Sequence, residues 1–75
     1  GAFADVNEHA PATFEELEYF DTHLEKVAID INFLDPTHPK RMMQRLRRMF
    51  SRARLEKNEV DILRGILSMI EQKTM

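Results

Sequence analysis

Residues 13–31 read TFEELEYFDTHLEKVAIDI, and the apolar residues in this stretch recur at steps of three or four. That spacing places them on one side of an α-helix, where they form a continuous stripe for burial. Thr13 and Glu16 have the spacing of a capping box, so we expect the helix to begin at this point. The stripe consists of Leu17, Phe20, Leu24, Val27, Ala28 and Ile31.

Two further helices are expected after a turn that contains prolines. The residues before Pro36 and Pro39 are biased away from helical dihedral angles, which predicts a break from Asn32 to Pro39. A second helix then runs from Pro39 to about Ala53, and a third is capped by Asn58. No segment alternates convincingly in the manner of a strand. The sequence therefore predicts an all-α fold, a small three-helix bundle with short connections.

Several side chains are assigned to the core from these helical positions. We expect Phe33 and Leu34 to pack from the loop against the core. We expect a helix crossing to explain Gly65, with close approach of RNA as the alternative. Tyr19 lies off the stripe of the first helix; we interpret it as a partly exposed surface residue, with contact to a base or a partner domain as the alternative. The remaining core assignments are Phe14, Phe20, Met42, Met43, Leu46, Met49, Phe50, Ala53, Ile62, Leu63, Ile66, Leu67 and Ile70.

The composition excludes several classes of functional site. A chain of 75 residues with 43% hydrophobic and 32% charged residues fits one small globular domain. Without cysteine it has no disulfide, no thiolate metal site and no cysteine nucleophile. Its two glycines, Gly1 and Gly65, leave no phosphate-binding loop of the Walker or dinucleotide type. Its three histidines are scattered, so we expect neither a metal site nor a catalytic residue.

The net charge of −2 conceals a strong separation of charge along the chain. Residues 1–39 carry nine acids and one base, whereas residues 40–54 carry seven bases and no acid. On the second helix, four arginines one turn apart form a row opposite the apolar side. Guanidinium groups bind phosphate oxygens through paired hydrogen bonds, so this row is suited to a nucleic-acid backbone. The row consists of Arg41, Arg45, Arg48 and Arg52.

Two other interpretations of the row stay open from the residues alone. One is an ordinary solvated helix face, although such faces usually interleave acids four residues away and none occurs here. The other is neutralisation by the acidic first helix, either of the same chain or of a neighbouring one.

Two motifs in the second and third helices resemble those of a known family. They read LRRMFSRAR at residues 46–54 and ILRGIL at residues 62–67. In combination they are similar to the C-terminal helical domain of the TrmJ group of bacterial tRNA 2′-O-methyltransferases, in the SpoU branch of the knotted SPOUT enzymes. The resemblance covers about residues 13–72 and includes EYF at 18–20, HLE at 23–25 and HP at 38–39.

The resemblance implies a longer parent enzyme whose chemistry lies outside this chain. In the family, an N-terminal knotted SPOUT domain uses S-adenosylmethionine to methylate the ribose of the first nucleotide of the tRNA anticodon loop. That domain also forms most of the homodimer. We accordingly expect a bacterial cytoplasmic enzyme with no membrane partner, and a fragment that by itself is not catalytic and has no cofactor or metal.

The family's helical domain helps to hold tRNA, and we expect residues 13–75 to be such an accessory domain. Residues 1–12 are interpreted as a linker or a remnant of tag cleavage, because Gly1-Ala2 replaces an initiator methionine. The alternative function is dimerisation or interdomain docking without RNA contact, since Val60, Ile62, Leu67 and Met69 widen the apolar sector of the third helix. The residues that match the RNA-binding role are Lys40, Arg41, Arg45, Arg47, Arg48, Arg52 and Arg54.

Overall fold

A computed structural model describes residues 9–74, and most of them lie in three helices. Between residues 9 and 74 the structure contains no β-strand, only an isolated antiparallel bridge between Pro11 and Glu56. The prediction of an all-α, three-helix fold is therefore confirmed. None of the described helices is long and apolar enough to cross a membrane. The helices are α1 at Phe14–Asp30, α2 at Lys40–Ala53 and α3 at Lys57–Thr74.

The start of α1 follows directly from its first residues. Thr13 Oγ1 accepts a hydrogen bond from the Glu16 amide at 3.1 Å, and Glu16 Oε1 accepts one from the Thr13 amide at 2.7 Å. These two bonds satisfy amides that no earlier helical turn can reach, as in the predicted capping box. The hydrogen bond from the Thr13 backbone amide to the Glu16 carboxylate lowers the pKa of Glu16, and the Thr13 side chain and the Lys57 charge add to this effect.

The end of α1 is set by Asn32, which lies upstream of Pro36 and Pro39, the two prolines predicted to end the helix. Asn32 has a φ of 65°, in the left-handed region that asparagine tolerates better than most residues. Its amide donates to the Ile29 carbonyl at 3.0 Å, and the Phe33 amide donates to the Ala28 carbonyl at 2.8 Å. This pair of bonds is a Schellman motif, which closes the helix before Pro36 is reached.

Helix α1 packs much more extensively along α3 than along α2. The larger core cluster joins Phe20 and Val27 of α1 to Val60 and Leu67 of α3. Helix α2 contributes Phe50, whose ring meets that of Phe20 edge to face, with centroids 5.0 Å apart. A smaller cluster at the other end contains Ala28, Leu34 and Met43.

Parts of the predicted core are instead exposed. Of the two loop residues, Leu34 is buried as expected, whereas Phe33 is not. Among residues 9–74 nothing lies within 4 Å of a Cβ placed on Gly65, so the helix crossing expected for that glycine is wrong. On α2 and α3 the buried residues, Met43 and Leu67, lie at one edge of the predicted apolar stripe. Periodicity alone cannot show against which part of a stripe a neighbouring helix packs. The other exposed residues are Phe14, Ile31, Met42, Met49, Ala53, Ile62 and Ile66.

The third helix begins slightly earlier than predicted. Lys57 is its first residue, so Asn58 lies inside the first turn and does not cap it. The amide of Glu56 donates instead to Glu59 Oε1 at 2.8 Å, which is one half of a capping box.

The end of the predicted linker is attached to the helical domain. The Ala12 amide donates to the Leu55 carbonyl at 3.0 Å, and the Lys57 amide donates to the Ala10 carbonyl at 2.9 Å. Because such pairing depends on the approach of two distant segments, no local sequence pattern signals it. Residues 1–8 of the predicted linker lie outside the described residues.

Candidate nucleic-acid interface

Helix α2 presents its basic residues to solvent because its apolar residues bind it to the other helices. Met43 is buried, and Leu46 and Phe50 are half-buried on the inward side. The four arginines of the predicted row lie at steps of three or four residues on the opposite side. From Arg41 to Arg52 the row is about 16 Å long at a rise of about 1.5 Å per residue. All seven basic residues predicted to bind RNA are exposed.

Only one of these seven cations has an acidic partner among residues 9–74. Arg47 Nη1 lies 3.2 Å from Glu18 Oε1 and 3.8 Å from Asp21 Oδ2, both on α1. Two other glutamates of the domain are engaged elsewhere, Glu16 with Lys57 and Glu71 with Lys26. Neutralisation of the row by the first helix was left open by the sequence. Within residues 9–74, acids of the first helix neutralise Arg47 but none of the four arginines of the row.

The unpaired charges of α2 make it a candidate anion-binding face. Successive arginines of the row are separated by about 4.5–6 Å along the axis, close enough to repel one another. No acid within residues 9–74 relieves that repulsion at Arg41, Arg45, Arg48 or Arg52. A polyanion lying along the helix would relieve it, and guanidinium forks suit phosphate oxygens.

The first turn of α2 extends this basic face. Pro39 occupies the cap position, no side chain caps the helix, and no acid lies in its first turn. The positive end of the helix dipole therefore coincides with Lys40 and Arg41. The nearby carboxylate of Asp35 accepts hydrogen bonds from the hydroxyl and the amide of Thr37, at 2.6 and 2.9 Å, and these bonds lower its pKa.

The last of the predicted cations, Arg54, follows the end of α2. It has a φ of 52° and a ψ of 59°, the left-handed conformation in which glycine is usually found after a helix. Its amide donates to the Ser51 carbonyl at 3.3 Å. A cation at this position also complements the negative end of the helix dipole.

His23 has a structural role. Its Nε2 lies 2.6 Å from Glu71 Oε1, so the imidazole joins α1 to α3. Lys26 Nζ donates to the other oxygen of Glu71 at 2.9 Å. The hydrogen bonds from Lys26 and then from His23 lower the pKa of Glu71. The histidine is therefore part of an interhelical ion-pair network.

A cavity beside the basic face was not predicted from the sequence. It has a volume of about 220 Å³, lies between α1 and α2, and is lined by residues that include Phe14, Glu18, Asp21, Arg47 and Ser51. Phe14 is 77% exposed. One signal was available: the residues four and seven positions after Phe14 are acidic, which places Phe14 on a polar side of α1.

Asp21 is the buried polar residue of this cavity. It is 8% exposed and makes no hydrogen bond within residues 9–74. Burial raises its pKa, the Arg47 charge opposes that rise, and the Glu18 charge adds to it. The carboxylate oxygens are thus available as acceptors at a largely apolar site.

The geometry defines a class, namely a small all-α domain with a basic helix face and no catalytic constellation among its described residues. The family model for the C-terminal domain of tRNA methyltransferase TrmJ matches residues 15–75. The chain therefore belongs to the family of TrmJ C-terminal domains, and the resemblance found in the sequence is confirmed.

Relatives with this domain are longer proteins. The tRNA (cytidine/uridine/adenosine-2'-O-)-methyltransferase TrmJ of Pseudomonas aeruginosa is 52% identical over 56 residues, which cover 75% of this chain and 22% of that protein. The tRNA (cytidine/uridine-2'-O-)-methyltransferase TrmJ of Salmonella typhimurium is 44% identical over 73 residues, or 97% of this chain and 30% of that protein.

A solved structure shows the same fold. It is that of a probable methylase family protein from Haemophilus influenzae, with a TM-score of 0.79 and 34% sequence identity. The match covers 89% of this chain and 27% of that protein. This chain thus spans between 22% and 30% of the length of these three relatives.

Proposed function

We propose that this domain binds tRNA for a methyltransferase that transfers a methyl group from S-adenosylmethionine to the ribose 2′-hydroxyl of the first nucleotide of the anticodon loop. The observation that carries the proposal is the exposed face of α2, on which six of the seven basic residues have no acidic partner within residues 9–74. The choice of tRNA as the nucleic acid and of ribose methylation as the reaction rests on the names of the relatives, which are tRNA 2'-O-methyltransferases.

The chemistry of the face suits structured RNA. Proteins hold RNA helices largely through phosphates, 2′-hydroxyls and shape, because the deep major groove hides base edges from side chains. Arginines along one helix provide affinity for phosphates with little reading of sequence. Selectivity for tRNA then comes from its overall shape and from contacts that the catalytic domain makes with the target nucleotide.

The described residues do not fit S-adenosylmethionine. Gly65 is the sole glycine among residues 9–74 and lies within α3, so no glycine-containing loop brings backbone amides together for a cofactor. We assign the cofactor, the catalytic residues and the main homodimer contacts to an N-terminal SPOUT domain of the parent enzyme, in the bacterial cytoplasm. The helical domain of this chain contributes tRNA affinity.

A salt-titrated binding assay tests the proposal. The chain should bind unmodified tRNA with a log–log salt slope of roughly −2 to −4, as expected when about three to five phosphates are contacted. The double variant Arg45→Glu/Arg48→Glu should lose this binding and keep its helical circular dichroism, because both side chains are exposed. The matched control, with the same change of net charge, is Arg64→Glu/Lys73→Glu on two exposed cations of α3, and it should bind like the unsubstituted chain.

Equal binding by the double variant and the control would refute RNA contact through α2. Binding that does not change with salt would refute it as well, since phosphate contacts release counterions.

A second function, docking to another subunit or to the catalytic domain, is favoured by the outer face of α3. Ile62, Ile66 and Met69 lie on one side of that helix, and each is more than half exposed. A groove of about 420 Å³ between α2 and α3, lined in part by Met49 and Ile62, continues this surface. Apolar surface of this extent is typical of protein contacts. Sedimentation of the chain at high micromolar concentration tests self-association, and a strict monomer would count against it.

A further inference from the structure

We propose that the cavity between α1 and α2 receives one unstacked base of the RNA that the basic face binds, with Phe14 as its stacking surface. This inference rests on the RNA-binding function proposed above and adds a base contact to it. Specific RNA recognition commonly uses bases splayed out of loops or bulges, which stack on aromatic rings or arginine planes.

Phe14 is exposed and held in place. As the first residue of α1 it follows Thr13 directly, and the capping box between Thr13 and Glu16 fixes the backbone on both sides of it. An exposed phenylalanine at such a position gains nothing from the core, since 77% of its surface remains accessible. A base stacked on the ring would cover that apolar surface.

The cavity lies beside the basic face. Arg47 and Ser51 of α2 line it, and Arg48 and Arg52 are their immediate neighbours in the chain. A phosphate held by the row can therefore carry its base towards α1. The volume of about 220 Å³ is smaller than the roughly 300–1,000 Å³ of pockets for drug-sized ligands, which suits a single ring system.

Arg47 supplies a second planar group at this site. Its guanidinium is held 3.2 Å from Glu18 Oε1 and 3.8 Å from Asp21 Oδ2. Since these carboxylates fix the guanidinium against α1, it is ordered before RNA binds. An ordered guanidinium plane stacks on bases with less entropic loss than a mobile one.

Asp21 gives the cavity a preference among bases. An ionised carboxylate only accepts hydrogen bonds, so it favours an exocyclic amino group, such as N4 of cytosine, over the O4 carbonyl of uracil. Its side chain lines the cavity, is almost fully buried and has no hydrogen-bond partner within residues 9–74. The cavity should therefore prefer cytosine to uracil.

The absence of tryptophan from the chain allows a direct test. Phe14→Trp places a single tryptophan at the cavity, and Met69→Trp places one on the exposed outer face of α3, outside the residues that line the cavity. The probes are two RNA hairpins with the same stem and a loop of seven nucleotides, one loop with cytosine bases and one abasic. Both hairpins carry the same phosphates.

We expect the cytosine hairpin to quench the emission of Phe14→Trp, and neither hairpin to change that of Met69→Trp. Phe14→Ala should weaken binding of the cytosine hairpin by about 5- to 150-fold, the usual range for one stacked base, and leave the abasic hairpin unaffected. A uridine loop should bind more weakly than the cytidine loop, and Asp21→Asn should narrow that difference.

Two results would overturn the base site, and they differ in what else they overturn. Equal, salt-dependent binding of both hairpins, with no response of Phe14→Trp, would remove the base site and leave phosphate binding by α2 intact. Failure of both hairpins and of tRNA to bind would remove the RNA-binding function and the base site together.

Discussion

Arg47 and Arg48 are adjacent in the sequence, and the structure predicts different consequences when each is replaced by glutamine. Arg47 is paired with Glu18 and Asp21, whereas Arg48 has no acidic partner within residues 9–74. We expect Arg48→Gln to reduce RNA affinity and leave stability unchanged. We expect Arg47→Gln to reduce stability and to change the salt dependence of RNA binding less than Arg48→Gln does.

The magnitudes follow from the charges and their exposure. Loss of one phosphate contact at Arg48 should make the log–log salt slope shallower by about 0.7–0.9. The fall in affinity between 50 and 200 mM salt should then be about threefold smaller than for the unsubstituted chain. The Arg47 and Glu18 side chains are 43% and 45% exposed, so solvent screens their attraction. A pair of this kind contributes about 0.2–1 kcal/mol, or roughly 1–8 °C in Tm for a domain of this size.

The assay is a salt titration of tRNA binding for both variants, combined with thermal melts. Arg48→Gln should show the shallower slope and an unchanged Tm, and Arg47→Gln should show the lower Tm and less than half the change in slope. Equal slope changes in the two variants would refute the inference that the carboxylates of α1 withhold Arg47 from phosphates.

Three further predictions concern stability and the parent enzyme. Gly65→Ala should stabilise the chain by about 1 kcal/mol, because alanine favours the helix and its Cβ would meet open space; a lower midpoint in urea denaturation would show that the site needs glycine. Hydrogen bonds from Lys26 and His23 lower the pKa of Glu71 in the folded chain, so its charged form stabilises the fold at neutral pH, and this stabilisation is lost as the pH falls through the lowered value. Glu71→Gln should therefore lower Tm at neutral pH, and the Tm values of the variant and the unsubstituted chain should converge in acid. A Tm difference that stays constant across thermal melts at decreasing pH would contradict this. In the intact parent enzyme, Arg45→Glu/Arg48→Glu should raise the KM for tRNA more than it lowers kcat in steady-state assays, since phosphate contacts bind ground and transition states alike; a loss confined to kcat would argue against a binding role.

Local patterns in the sequence were sufficient for the helices and the basic row. The capping box at Thr13 and Glu16 marked the start of α1, and three- to four-residue spacing marked Phe20 and Val27 as core. These features depend on residues within one or two turns of each other. Such short-range interactions are the part of a fold that a single sequence specifies most directly.

The exposed cavity and the pairing of Arg47 could not be read in this way. Both depend on how α2 lies against α1, which local spacing does not determine. Met43 and Met49 belong to the same predicted apolar arc, yet only Met43 is buried, because it reaches Ala28 and Leu34. Phe14 was assigned to the core because it is aromatic. The acidic residues four and seven positions later, Glu18 and Asp21, place it on a polar side of α1.

An NMR titration of the isotopically labelled chain with tRNA tests the central claim most directly, because it reports which residues meet the RNA. We expect arginine Nε–H signals of Arg41, Arg45, Arg48 and Arg52 to shift, and the methyl signals of Ile62 and Ile66 to stay in place. Shifts confined to the α3 methyl groups, with the four arginines unchanged, would contradict RNA binding by α2.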